Sequence, residues 1–240
     1  MNDPHLLIIG GGLAGLATGC YARRSGFKTT IVEHNLALGG VCTAWQRGHY
    51  TIDGCIHWLT GGRFLQLYQE LGILSQVQLR TLQSWVTYRN VKDSWELAVS
   101  RDLDELVARL VAISPAEAGE LCRLREAANE ARLMQPPLDA PELGSFGEQL
   151  RSLWDLRAEL GLFLHYRKPM GTWAREHLHS PRLQRAFTAL LPETAPAFVL
   201  PMILGYLAQR DLSRPVGGTA AFRRALEHTY RELGGAARLH

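Results

Sequence analysis

The glycine run between Ile9 and Leu16 constrains this chain more than any other feature. Leu6-Leu7-Ile8-Ile9 reads as a short apolar strand of the buried parallel kind. It leads directly into Gly10-Gly11-Gly12-Leu13-Ala14-Gly15, a GxGxxG pattern through Gly10, Gly12 and Gly15. The first glycine allows a tight turn, the second lets backbone approach a ligand, and the third lets a helix pack closely on the strand. The helix that follows is predicted to run through Leu16, Ala17, Cys20 and Tyr21 to about Ser25, with Gly26 as its stop. Its first turn, opening at Leu13 and Ala14, offers free N–H groups and a partial positive charge.

Thr29-Thr30-Ile31-Val32 reads as the second strand and ends at Glu33. Glu33 follows Gly10 by 23 positions, close to the roughly 20 at which an acid accepts ribose hydroxyls of a bound dinucleotide. A carboxylate there repels a 2′-phosphate, which disfavours NADP. A lone GxGxxG is weak evidence. Strand, glycines, helix, strand and acid in this register are much stronger, and together they predict an α/β, Rossmann-like dinucleotide site.

Beyond the acid the chain continues His34-Asn35-Leu36-Ala37-Leu38-Gly39-Gly40-Val41-Cys42-Thr43, then Gly48 to Leu59 with Asp53-Gly54-Cys55-Ile56-His57-Trp58. These residues resemble the flavin amine-oxidase and phytoene-desaturase superfamily, in particular its bacterial phytoene-dehydrogenase-related branch. A second matching stretch is Arg214-Pro215-Val216-Gly217-Gly218-Thr219, followed by a helix over 220–233 and a strand from Gly235. The resemblance is specific over 5–62 and 213–240 and loose between them. Val41 departs from the Arg or similar residue that many relatives carry.

The resemblance implies FAD as the cofactor, held by Gly10, Gly12, Leu13, Ala14, Gly15, Glu33, His34, Gly39, Gly40, Val41 and Thr43. It also implies that the segment around His57 lies beside the flavin ring. His57 is therefore the candidate catalytic residue, against the plainer reading of a histidine packed beside Trp58. The family's C-terminal half has no counterpart in this sequence.

The expected organisation is an FAD-binding Rossmann-like domain over 1–62 plus 213–240, interrupted at 63–212 by a mostly helical substrate region with a small β-hairpin. Arg63 to Leu71 is predicted helical. Trp85–Arg89 and Trp95–Val99 alternate like two strands. A helix is expected from Asp102, another from a capping box at Ser114-Pro115-Ala116-Glu117 to about Met134, a break at Gln135–Pro141, and a long helix over 143–165. Ser180-Pro181 opens a further helix. The apolar stretch Phe198–Leu204 reads as core, or as a surface that touches a membrane beside Arg167, Lys168, Arg175, Arg182 and Arg185.

Composition sets limits on the class. Hydrophobic residues make up 46% and charged residues 20% of 240, values ordinary for a globular chain. A net charge of +3 is too small and dispersed to suggest nucleic acid. The start MNDPH carries no basic leader, and no apolar run reaches a membrane span. With four cysteines at no metal-like spacing, a cytoplasmic protein with reduced thiols is expected, with membrane association as the alternative. Cys42 and Cys55 read as small buried thiols rather than a redox pair. The histidines at 165, 177 and 179 predict no metal site, since His177 and His179 would lie on different sides of a helix.

The function expected is flavin-mediated dehydrogenation or isomerisation of a hydrophobic small molecule, completed by a second polypeptide or by self-association. The alternative is a non-catalytic subunit that binds FAD or its ADP half and serves a partner. A third reading is a gene fragment whose last strand, Gly235–Leu239, lacks its neighbours.

Overall fold

A computed structural model describes residues 4–91, 94–131, 160–161 and 163–240. The chain divides into two compact units, one of Met1–Thr81 with Ser213–His240 and the other of Leu82–Leu212.

The first unit is built on three parallel strands: β1 (His5–Ile9), β2 (Lys28–Glu33) and β10 (Ala236–Leu239), in the order β1-β2-β10. The register pairs Ile9 with Val32, and Leu239 with Glu33. Helix α1 (Leu13–Arg24) links β1 to β2 and packs with α8 (Gly218–Glu232) on one face of the sheet. Leu16, Cys20, Ile31, Phe222, Leu226 and Tyr230 form the core between them. Tyr230 ties the layers together, since its Oη donates to the carbonyl of Ala236 at 2.8 Å and meets Thr29 Oγ1 at 3.0 Å.

The expectation of a doubly buried first strand is corrected here. Leu7 is 60% and Ile9 89% exposed, because no described element covers the other face of the sheet. The alternation of half-buried and exposed residues along β1 is that of a one-sided layer.

Two short hairpin strands, β3 (Ala44–Arg47) and β4 (Tyr50–Asp53), follow the nucleotide motif. Next come β5 (Leu59–Thr60), α2 (Phe64–Glu70) and β6 (Leu79–Thr81). Strand β9 (Leu212–Pro215) lies between β5 and β6. The unit therefore extends to Thr81, not to 62 as the sequence suggested. The reason is packing: Leu71, Ile73 and Val77 enter the same core cluster, and β6 pairs antiparallel with β9.

The second unit starts with the hairpin β7 (Ser84–Asn90) and β8 (Trp95–Ser100), joined across the strands by Arg89 and Glu96. Helices α3 (Leu103–Ile113), α4 (Ala118–Ala131), α5 (Met170–His177), α6 (Pro181–Leu190) and α7 (Val199–Ala208) follow. Asp102 caps α3 by accepting from Glu105 N at 2.9 Å, and Ser180 caps α6. Pro201 sits in the first turn of α7, where its missing N–H breaks no helical bond. Leu200, Ile203, Leu204 and Leu207 are buried, so the apolar run is core.

The expected capping box at Ser114 does not form. Residues Pro115–Glu117 make a 3₁₀ turn, and the buried Glu117 carboxylate instead accepts from the backbone N–H groups of His179 (2.5 Å) and Ser180 (2.7 Å). A tertiary contact with two donors outweighs one local reciprocal bond. The predicted break at 135–141 and most of the helix over 143–165 lie outside the described residues. Residues 163–166 are helical. Among the described residues, no helix is long and apolar enough to cross a membrane.

Candidate functional site

At the glycine turn, backbone packs directly on backbone. Gly10 adopts φ +97°, a conformation that side chains rarely tolerate, and its N–H donates to Val32 O at 2.8 Å. A Cβ on Gly15 would stand 2.0 Å from the Gly10 carbonyl oxygen, so only glycine lets α1 approach the turn. Gly12 differs. Its φ of −68° suits any residue, and a Cβ there would meet only Gly40 Cα, at 4.0 Å. The space beside Gly12 is therefore open to a ligand rather than filled by protein.

The second glycine pair lies directly against the first. Gly39 N donates to Gly11 O at 2.7 Å, and Gly12 and Gly39 form a parallel bridge. Gly39, at φ +129°, is held by Arg223, whose Nη1 donates to Leu38 O at 2.8 Å. Asn35, Leu36, Gly40, Thr43, Ala220 and Arg223 line an open cleft beside this platform. Helix α1 has no side-chain cap, which leaves the N–H groups of Leu13, Ala14 and Gly15 as the donors that its geometry presents at its N-terminus.

Glu33 stands at the end of β2, as expected, but its carboxylate already has work to do. Oε2 accepts from Gly11 N at 2.7 Å, and Oε1 accepts from Asn35 N (2.8 Å) and Asn35 Nδ2 (2.7 Å). These donors, Asn35 backbone first and Gly11 next, hold the carboxyl below the ordinary carboxylate range. A carboxylate has about four acceptor positions, so one remains unused by these three bonds. Glu33 thus braces the turn.

The other predicted residues are less engaged. His34 is exposed, its ring 6.0 Å from that of His240, and Val41 is 87% exposed. His57 is exposed and tilted against Trp58 at 6.3 Å, and its carbonyl accepts from Arg214 Nε. No acid or base stands in hydrogen-bond contact with its ring among the described residues.

Three residues missed in the sequence organise the site. Asp53 accepts from Thr219 N at 2.9 and 3.0 Å and so caps α8. Thr219 Oγ1 in turn accepts from Ile56 N at 3.0 Å. Arg223 anchors the second glycine pair. The signal for Asp53 was an acid one residue before Gly54, but its partner lies 166 positions later in the chain.

Two readings are corrected. Cys42 and Cys55, which nothing in the sequence placed together, are neighbours. Burial pushes the Cys42 thiol up, and Cys55 adds to it by charge and by a hydrogen bond. The histidines also need revision: His165 and His177 converge on Glu120, whereas His179 is exposed. The helix ends at His177 and Leu178 is extended, so helical spacing does not govern these three residues.

This chain has a Rossmann-like fold, and its residues 8–71 match the family model of the NAD(P)-binding Rossmann-like domain. It is similar to a phytoene desaturase of Cercospora nicotianae, 31% identical over 103 residues, which cover 42% of this chain and 17% of that protein. In fold it resembles cyclohexylamine oxidase from Brevibacterium oxydans, with TM-score 0.56 and 17% identity over 99% of this chain and 51% of that one. It also resembles the Rab GDI of Plasmodium falciparum, with TM-score 0.50 and 11% identity over 99% of this chain and 58% of that one. The chain spans about half the length of these solved structures.

Proposed function

We propose that this chain holds the adenosine and pyrophosphate end of FAD in an oxidoreductase that acts on a hydrophobic small molecule. The observation that carries this is the open space at Gly12, framed by the uncapped first turn of α1 and by Gly40. The N–H groups of Leu13, Ala14 and Gly15 would receive the pyrophosphate. Glu33 would accept one ribose hydroxyl with its spare lone pair, and its charge disfavours a 2′-phosphate. Bound FAD supplies the two-electron redox chemistry of its flavin ring. The second glycine pair, fixed by Arg223, favours FAD over NAD, since it extends the backbone cradle beyond a single glycine turn.

A second polypeptide or a second copy would cover the bare face of the sheet at Leu7 and Ile9. That same bare face also supports the alternative of a non-catalytic subunit that serves a partner. An absorbance spectrum of the purified protein incubated with FAD, NAD⁺ or NADP⁺ tests the cofactor. Flavin bands that survive desalting support the reading, and their absence alongside retained NAD⁺ overturns it. Anaerobic bleaching of the flavin bands by a lipophilic alkene or amine then separates the enzyme from the non-catalytic subunit.

A further inference from the structure

We propose that Glu120, His165 and His177 form a site for one divalent transition-metal ion of the zinc class. The proposal concerns the second unit alone and does not depend on the flavin reading. Glu120 comes from α4, His165 from the helical residues 163–166, and His177 from the last turn of α5. One ligand atom from each lies within 4.8 Å of the other two. His165 Nε2 is 2.7 Å from Glu120 Oε1, and His177 Nδ1 is 3.8 Å from Glu120 Oε2.

The second of these distances is informative. At 3.8 Å it is beyond a hydrogen bond, so the carboxylate satisfies His165 but not His177. An ion bound at about 2.0–2.2 Å to each ligand would place neighbouring donor atoms about 3.3 Å apart, between the two observed separations. Ion binding therefore needs small shifts of side chains in opposite senses, not a rearrangement of helices.

The rings are already held in place. Trp173, one turn before His177, stacks on it at 5.4 Å and 21°. Tyr166 packs edge-on against His165 at 4.7 Å, and the two imidazoles are 4.7 Å apart. Trp173 and Tyr166 are each 1% exposed, so this support is rigid core. The ligands keep a path to solvent, with side-chain exposures of 11% for Glu120, 22% for His165 and 29% for His177.

Arg123 Nη1 is 3.1 Å from Glu120 Oε2 and competes for the carboxylate. It is 58% exposed, and such pairs contribute little. Two imidazoles and one carboxylate suit zinc, cobalt, nickel or copper rather than magnesium or calcium, which prefer oxygen ligands throughout. Three protein ligands leave a fourth position for water.

The test uses the full chain freed of metal by chelation and then titrated with Co²⁺ and Zn²⁺. The expected result is one Co²⁺ per chain with the strong visible bands of a four-coordinate ion and no thiolate charge-transfer band. Zn²⁺ should displace Co²⁺ and raise the melting temperature. Glu120→Gln and His177→Ala should each weaken binding by more than about 100-fold, beyond the roughly 10–100-fold typical of outer-shell changes, whereas His179→Ala leaves it unchanged. If these variants do not fold, the wild-type spectrum decides alone. No stoichiometric four-coordinate Co²⁺ spectrum, a thiolate band, or undiminished binding in the folded variants would overturn the proposal.

Discussion

The glycine platform and the His-Glu-His cluster are built on opposite principles. The platform is made of backbone. Its parts lie within the first forty residues, and absent side chains create it: Gly15 permits the helix to approach, and Gly12 leaves a space. The cluster is made of side chains from positions 120, 165 and 177, held by aromatic packing. A backbone site is sensitive to an added methyl group and tolerant of its surroundings. A side-chain site is sensitive to the loss of any one ligand and to the rings that brace it.

That contrast can be broken most sharply at Gly12. Gly12→Val should abolish FAD binding in a fluorescence titration while the melting temperature stays near that of the wild type, because the local φ and space accept a side chain. Gly15→Ala should do the reverse in kind. Its Cβ meets the Gly10 carbonyl at 2.0 Å, so the fold should lose about 1–3 kcal/mol in a denaturant melt.

Glu33→Ala is expected to weaken FAD on the order of tenfold, through the lost ribose bond and the loosened Gly11 turn. It also carries a pH signature. The folded-state pKa of Glu33 is depressed, so its stabilisation is complete above the unfolded carboxylate value, about 4.3, and disappears as pH falls through the folded value. The stability gap between wild type and Glu33→Ala should therefore close on acidification below that range. A gap that stayed constant would remove the carboxylate from the account.

The smallest effect is expected in the helical unit. Tyr166 Oη is buried with no hydrogen-bond partner among the described residues, and burial raises its pKa well above the ordinary phenol value. Tyr166→Phe removes an unsatisfied hydroxyl and should stabilise the fold by about 1 kcal/mol in thermal denaturation. A loss of stability would mean that the hydroxyl is bonded after all.

The sequence made the nucleotide motif legible because its geometry is local. A strand, a turn, a helix and an acid are all specified by neighbours along the chain. It was blind to what holds that motif from afar. Arg223 reaches Leu38 across 185 positions and Asp53 caps Thr219 across 166, and no periodicity announces either. The same limit misread Glu117, whose capping spacing was correct but whose carboxylate found two backbone donors in another segment. It also misread His177, since helical spacing applies only while the helix lasts. The exposure of β1 was illegible for a different reason: an apolar run reports what a strand can bury, not whether a layer is present to bury it.

The most direct measurement is a side-by-side FAD titration of the wild-type protein and Gly12→Val, read by flavin fluorescence, with the melting temperature of each recorded. The account predicts saturable binding to the wild type, none to the variant, and similar melting for both. Equal FAD affinity in two well-folded proteins would contradict it.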